Sequence, residues 1–508
     1  MKENTPVSAQ EESGLATAAS EPPVPTGEKL DRALARGLAW VGVARWGTQI
    51  LTWFATMVIA RQLNQADYGI WTSAGVYLGV VALISEFGIG ASIVMIRDLD
   101  RKQIAQVGGL SVITGVIAAA LSVAVAPLIG AFYRTPAIGA VIMVMSSVFI
   151  ISSFRVVPLA LLQRDLRFRE LAIVDMVRSA LQSGVLVTLA YITQNYWSFT
   201  FGAIVAESAW TVMILSLRRH AIALPRFRDI RRAISLSADI MIGRLSWYGY
   251  SNADFAVAGR RLGPVATGDY GMAWSIASVP VEKVNSVIMS VTPTFLAAVQ
   301  HSNAELRRYL LTLTGAISLA ALPAGIGLAL VADDFTHVVL TSKWEGAIPA
   351  IQLLAVYSAV RAVGPILTPV LNVTGQSRFA MWNSIFALAI LPAAFLVGSR
   401  WGITGIAAAW VIAHPIVLIQ AYRRVAKRIE LSTRDYLRAV WPALHSVAGL
   451  AGAVILTRLA LNHVSLSTRL PFEVLAGVAG YGGFLFLFHR QHLDMVRRAI
   501  KLAGGGRS

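Results

Sequence analysis

Cysteine is absent from all 508 residues. That removes disulfide frameworks, thiolate metal sites, iron–sulfur clusters and cysteine nucleophiles together. Charge is scarce as well: Asp, Glu, Lys and Arg make up 14% of the chain, against about 25% in soluble domains. Acidic side chains are the rarer sign, 27 against 44 Lys and Arg, which leaves a formal net charge of +17. The 8 histidines show no His-x-x-x-His or His-Glu-x-x-His spacing, and there is no Walker loop. Catalytic constellations and direct use of ATP therefore lack their residues. The chain reads as a non-enzyme without a cofactor or a bound metal.

What is plentiful is apolar surface, with 56% hydrophobic residues and a mean hydropathy of +0.62. In so apolar a chain, lipid headgroups or a phosphorylated substrate come before nucleic acid as the partner of the excess cations. Residues 1–28 differ from the rest: they carry Pro6, Pro22, Pro23 and Pro25, several glutamates and no aromatic residue. Their composition is that of a disordered tail, and no apolar run follows directly on a basic start as in a secretory signal.

A hydrocarbon core of about 30 Å needs roughly 20 apolar residues in a helix. By that measure the sequence predicts an all-α polytopic membrane protein of about fourteen transmembrane helices. The first seven spans lie near 39–60, 70–95, 105–132, 138–162, 171–192, 197–217 and 234–257. The others lie near 269–297, 308–331, 347–374, 379–398, 402–422, 438–458 and 470–489. With the amino terminus in the cytoplasm, cytoplasmic segments hold 30 Lys/Arg and the opposite loops 8. This fits the positive-inside rule with both termini cytoplasmic. The clusters Arg218 to Arg232 and Arg423 to Arg438 then read as solvated or lipid-facing loops. Trp40, Tyr133, Trp197, Trp344, Trp401 and Trp441 fall near span ends, where an aromatic belt is expected.

An internal repeat organises these spans. Arg61-Gln62-Leu63 recurs as Arg260-Arg261-Leu262, and Asp67-Tyr68-Gly69 as Asp269-Tyr270-Gly271. Two parallel six-helix lobes follow, residues 29–232 and 233–425, with a helix pair and tail over 426–508. Repeats of this kind place a substrate path between lobes.

Six of the Lys and Arg lie inside spans: Arg45, Arg155, Arg178, Arg244, Lys283 and Arg361. Arg45 and Arg244 occupy the same repeat position, 199 residues apart. Each such cation costs about 2.5–3.5 kcal/mol at a span centre, so they must face water, counter-ions or an anionic ligand. Thr48, Gln49, Thr52 and Thr56 accompany Arg45 on one helical face, and Tyr248, Ser251 and Asn252 accompany Arg244. These patterns predict a cationic cavity. Glu86, Glu207, Asp239, Asp254 and Glu282 are available as counter-ions or coupling sites. Asp175, three residues before Arg178, offers a purely structural pairing, and Arg155 sits near enough to the interface to snorkel. The Gly-Ile-Gly motifs at 88–90 and 325–327 read as close helix packing, and His414-Pro415 as a kink with a satisfied imidazole.

Together, Arg-x-Leu…Asp-Tyr-Gly, Glu86-Phe87-Gly88-Ile89-Gly90 and Gln163-Arg164-Asp165-Leu166-Arg167-Phe168-Arg169 resemble the motifs of Wzx-type polysaccharide flippases. These belong to the multidrug/oligosaccharidyl-lipid/polysaccharide exporter superfamily, and the third motif resembles its colanic-acid flippase branch. The first repeat departs in having Asn64-Gln65 where Gly-Pro is common, as in Gly263-Pro264. The resemblance spans about residues 35–490. It implies a monomer in a bacterial inner membrane that flips an undecaprenyl-pyrophosphate-linked oligosaccharide, with membrane lipids, a polymerase and a chain-length regulator as further partners. A cation-coupled drug or metabolite exporter would instead need an acidic cavity and twelve spans. A polysaccharide polymerase or ligase would need a large outer loop.

Overall fold

The computed structural model describes residues 51–86, 89–96, 98–226, 244–289, 296, 299 and 301–490. Among them there is no strand. Residues 51–62 are helical, and α1 (Gln65–Glu86) and α2 (Ile89–Met95) follow. Next come α3 (Arg101–Phe132), α4 (Pro136–Met145), α5 (Ser147–Ser153) and α6 (Val156–Arg164), then α7 (Phe168–Thr193) and α8 (Trp197–Leu217). The second half contains α9 (Ala253–Met289), α10 (Asn303–Phe335), α11 (Ile348–Arg361) and α12 (Leu367–Val373), then α13 (Ser377–Gly398) and α14 (Gly402–Arg428). The helix pair α15 (Thr433–Ala460) and α16 (Leu466–Phe488) ends the described chain.

Among the described residues, ten helical stretches are long and apolar enough to cross a membrane, one of which, Ser377–Arg428, holds both α13 and α14. The chain is a multi-pass membrane protein. Large apolar side chains stand exposed around the bundle, among them Leu128, Val212, Ile412 and Leu475. In water such a surface would be a liability; against acyl chains it is the solvent-matched face. Pro127, Pro323, Pro392, Pro415, Pro442 and Pro471 lie inside helices, tolerated where neighbours take up the freed backbone groups.

Local signals set the helix starts. Asp100 accepts from the Gln103 N–H at 2.6 Å while Gln103 accepts from the Asp100 N–H at 3.0 Å, a capping box that opens α3. Ser302 caps α10 through the Glu305 N–H at 3.3 Å. No open loop separates the expected seventh and eighth spans. Helical structure continues through α9 with one break at Gly263, whose φ of 82° suits a residue without a Cβ.

The two halves meet along α1 and α9, at what we call the upper end of the bundle, where α1 begins. A methyl group on Gly69 would overlap the carbonyl of Pro264, and one on Gly268 the carbonyl of Gln65. One on Gly271 would lie 2.9 Å from the Thr72 hydroxyl. Both repeated Asp-Tyr-Gly glycines, Gly69 and Gly271, thus lie where the halves approach closely. Beside them Ile59, Tyr68, Phe199, Met272, Leu340 and Trp344 form one buried cluster drawn from both halves.

A polar seam closes the same end. The helix over 51–62 leaves its last carbonyls without intrahelical partners. The Lys343 ammonium donates to the carbonyls of Arg61 and Leu63 at 2.9 and 2.7 Å, and Trp344 Nε1 donates to Ala60 at 2.9 Å. Lys343 is well placed there, because a cation stabilises the negative end of a helix dipole. Arg61 returns bonds to the carbonyls of Val338 and Val339 at 3.3 and 3.4 Å, and the Gln65 amide donates to the Lys343 carbonyl. Trp344 is therefore a buried bolt between halves, not part of an interfacial belt. Tyr133 is buried too, whereas Trp401 and Trp441 are exposed as the belt reading expects.

Candidate functional site

Below the seam lies a cavity of about 480 Å³ between the halves. Thr52 and Thr56 from the first helix, Thr72 and Gly75 from α1, and Ser179 and Gln182 from α7 face it. The second half supplies Tyr248, Asn252, Phe255 and Ser275. Four of the polar residues that helical spacing placed on cavity-facing stripes (Thr52, Thr56, Tyr248 and Asn252) do line it. Tyr248 spans the gap by donating its hydroxyl to the Gly75 carbonyl at 3.1 Å. A methyl group on Gly79 would overlap the Tyr248 ring. Among the described residues, none that lines it is charged.

The charges gather one helical turn away from it. On α7, Arg178 immediately precedes the cavity residue Ser179; on α8, Glu207 follows the cavity residue Ala203 by one turn. Glu207 receives Arg155 Nη1 at 2.6 Å through one carboxylate oxygen and Arg178 Nη2 at 3.2 Å through the other. Arg155 also donates to the Thr211 hydroxyl at 3.3 Å. Trp210 takes both guanidinium groups on its ring, with Cζ atoms 3.6 and 4.3 Å from the centroid. Two cations thus share one carboxylate. Arg178 Nε and Trp210 Nε1 are buried there without hydrogen-bond partners. Each such orphan donor costs about 1–3 kcal/mol.

Arg155 is 6% exposed, so it neither snorkels nor anchors the chain at an interface. The structural partner of Arg178 is Glu207 on the adjacent helix, a pairing that local spacing does not reveal. Arg361 approaches Glu282 at 3.3 Å and lies 5.3 and 5.5 Å from the ring centroids of Trp274 and Tyr357. Arg361 and Glu282 therefore form a separate pair in the second half. Arg244 is exposed. Asp254 is fully buried and accepts hydrogen bonds from the Tyr270 hydroxyl at 2.7 Å and from Trp410 Nε1 at 2.8 Å. Arg45 and Asp239, and the side chains of Glu86 and Lys283, lie outside the described residues.

The Gly325 contact bears out close helix packing: a methyl group there would lie 2.5 Å from the Ala355 carbonyl. The His414 imidazole departs from expectation, because its buried Nδ1 has no hydrogen-bond partner. It stands edge-on to Tyr357 and Trp410 instead. No group of three or more metal-ligating side chains occurs among the described residues.

One charge cluster escaped the sequence reading. Arg469 binds Asp334 through two nitrogens at 2.7 and 2.6 Å, and Arg458 binds Glu473 at 2.8 and 3.1 Å. Both carboxylates are fully buried. The two arginines lie in the sequence where an outer loop was expected, so they counted only as loop cations. The cluster fastens α15 and α16 to the upper end of α10.

The repeat, the seam and the interhelical cavity match a known architecture. Residues 58–349 match the family described as polysaccharide biosynthesis protein. The chain belongs to that family. Among similar proteins is the lipopolysaccharide biosynthesis protein WzxC of Escherichia coli (strain K12), 24% identical over 76% of this chain and 79% of its own. The teichuronic acid biosynthesis protein TuaB of Bacillus subtilis (strain 168) is 24% identical over 78% of this chain and 84% of its own. The succinoglycan biosynthesis transport protein ExoT of Rhizobium meliloti (strain 1021) is 23% identical, with 88% and 90% covered. Among solved structures, the lipid II flippase MurJ in its inward closed conformation superposes with a TM-score of 0.70 at 12% identity. That match covers 89% of this chain and 99% of the other. An inward-facing multidrug resistance transporter of the MOP superfamily gives a TM-score of 0.55 at 18% identity, with 76% and 96% covered. The chain thus has the fold of that superfamily.

Proposed function

We propose that the protein flips an undecaprenyl-pyrophosphate-linked oligosaccharide from the cytoplasmic to the periplasmic leaflet of a bacterial inner membrane, by alternating access between its halves. The observation that carries this reading is the Arg155–Glu207–Arg178–Trp210 cluster beside a cavity closed at its upper end. A pyrophosphate cannot cross hydrocarbon unaided, and guanidinium groups replace its water with bidentate, charge-assisted hydrogen bonds. The pair of guanidinium groups and the two unpartnered donors, Arg178 Nε and Trp210 Nε1, suit an anionic visitor. The names of the relatives, polysaccharide biosynthesis and transport proteins, support the same class of cargo.

Orientation follows from the division of basic residues, 30 against 8, which favours both termini in the cytoplasm. The sealed upper end is then the outer one, and the cluster lies on the cytoplasmic side of the cavity. A cation-coupled exporter of the same superfamily is the rival reading, and a cavity lined by no acid among the described residues disfavours it.

The test is genetic. In a strain whose own repeat-unit flippase is deleted, expression of the chain should restore surface polysaccharide when the repeat unit matches. Lipid-linked repeat units should cease to accumulate. Accumulation unchanged across a panel of repeat units, with the protein present in the membrane, would exclude the reading.

A further inference from the structure

The segment that leaves α8 for the second half lies against the lower end of α3. Ala223 and Pro225 meet that helix: a methyl group on Gly109 would overlap the Ala223 carbonyl and lie 3.5 Å from Pro225. Ile222 and Leu224 alternate with them and are exposed, Leu224 to 84%. Arg218, Arg219 and Arg226 are exposed on the same segment.

The position of this contact says what the exposed pair meets. Gly109, Ile113 and Val116 stand at i, i+4 and i+7 on one face of α3. Ile113 and Val116 are exposed on the lipid-facing stripe, whereas Ala105 and Gly109 below them are buried. The segment therefore covers the foot of that stripe, where lipid would otherwise lie. The 32 residues of α3 make about 48 Å of helix against a hydrocarbon core of about 30 Å. Centred on that core, the helix overhangs each side by about 9 Å. Ala105 and Gly109 stand about 6 and 12 Å above Arg101, at the boundary of headgroups and acyl chains. The neighbouring loop has the same character. Arg218 pairs with Asp165 at 3.5 Å, and Leu166 and Phe168 are exposed beside Asp165 in the connection from α6 to α7.

We infer that residues 218–226 form an interfacial strap, with Ile222 and Leu224 in the acyl boundary and Arg219 and Arg226 on anionic phospholipid headgroups. An apolar pair flanked by cations at this depth gains from both: its side chains leave water and its guanidinium groups meet lipid phosphates. The connection between the halves is thereby held by the leaflet along which it runs. The inference needs a membrane-spanning chain and is independent of the cargo.

The test places a spin label on the full-length protein in lipid nanodiscs. The chain has no cysteine, so Leu224→Cys takes a single label, and Val116→Cys supplies an immersed reference. Collisions with oxygen, which concentrates in hydrocarbon, are compared with collisions with a water-soluble nickel chelate. In nanodiscs containing phosphatidylglycerol, the label at 224 should favour oxygen, as the reference does. In pure phosphatidylcholine its ratio of immersed to water-exposed label should fall roughly tenfold. Arg219→Gln with Arg226→Gln should make the two membranes alike. Ile222→Cys, labelled in a chain that also carries Leu224→Glu, should become open to nickel, which keeps the test decisive should a label at 224 disturb the strap. A label at 224 as open to nickel as one in water, in both membranes, would overturn the strap and point to solvent or a protein partner on this face. Equal immersion in both membranes, unmoved by the glutamines, would overturn the role of the arginines on anionic headgroups.

Discussion

Arg469 grips Asp334 with two parallel hydrogen bonds, 2.7 and 2.6 Å long, across the junction between the carboxy-terminal helix pair and α10. The carboxylate is fully buried and the guanidinium nearly so, which makes the pair costly to break from one side. Removing one partner of such a pair costs about 3–5 kcal/mol, because it strands the other charge. Arg469→Ala should therefore lower the thermal unfolding midpoint in detergent sharply, and Asp334→Leu with Arg469→Met should recover most of the loss. A midpoint unchanged in the single variant would show that the pair does not hold the helices.

The shared glycine contacts make a different prediction. Gly69→Val places a side chain against the Pro264 carbonyl and should prevent the upper end from closing. Because the natural chain has no cysteine, Asn64→Cys with Ser342→Cys gives a clean pair for a short bismaleimide across the seam. Cross-linking should be efficient in the otherwise native chain and strongly reduced on adding Gly69→Val. Equal yields would contradict the close approach.

Glu207 competes with any anion for Arg155 and Arg178. Glu207→Gln should raise affinity for farnesyl diphosphate several-fold, measured by fluorescence titration. It should also lower stability by up to about 3–5 kcal/mol as the two cations lose their shared counter-ion. Weaker diphosphate binding in this variant would mean that the carboxylate organises the site rather than occupying it.

The segment joining the two halves carries a pH-dependent contact. Residues 218–226 run along the start of α3, where the Ala223 N–H donates to the Ala105 carbonyl at 3.0 Å. Gly108 and Gly109 make room for His220 and Ala223. Burial holds the His220 imidazole below its ordinary value of 6.5, so it is seated neutral. A released histidine gains its proton as pH falls through that ordinary value, so the seat weakens with acidification. Hydrogen exchange over this segment, corrected for intrinsic rates, should be faster at about pH 5.5 than at about pH 7.5. His220→Gln should flatten the difference.

Much of the fold was legible because a bilayer imposes a length and a polarity on every span, and because Asp67-Tyr68-Gly69 and Asp269-Tyr270-Gly271 repeat. Polar stripes at helical spacing correctly placed Thr56, Tyr248 and Asn252 on the cavity. Ion pairing was less legible. Arg155, Arg178 and Glu207 converge from three helices, and no local spacing says which carboxylate wins. Lys343, Arg458 and Arg469 counted only as loop cations, because the rule that sorts charges by side says nothing of the carbonyls or buried acids they meet.

The most direct test is translocation itself. Proteoliposomes containing the full-length protein and a fluorescent polyprenyl-diphosphate oligosaccharide should show protein-dependent transfer between leaflets, read by quenching with a membrane-impermeant reductant. Arg155→Ala combined with Arg178→Ala should slow that transfer by roughly tenfold or more, since each charge-assisted hydrogen bond contributes about 1.5–3 kcal/mol. Transfer at the wild-type rate by the doubly substituted protein, reconstituted at equal amount, would contradict the cationic cluster's role.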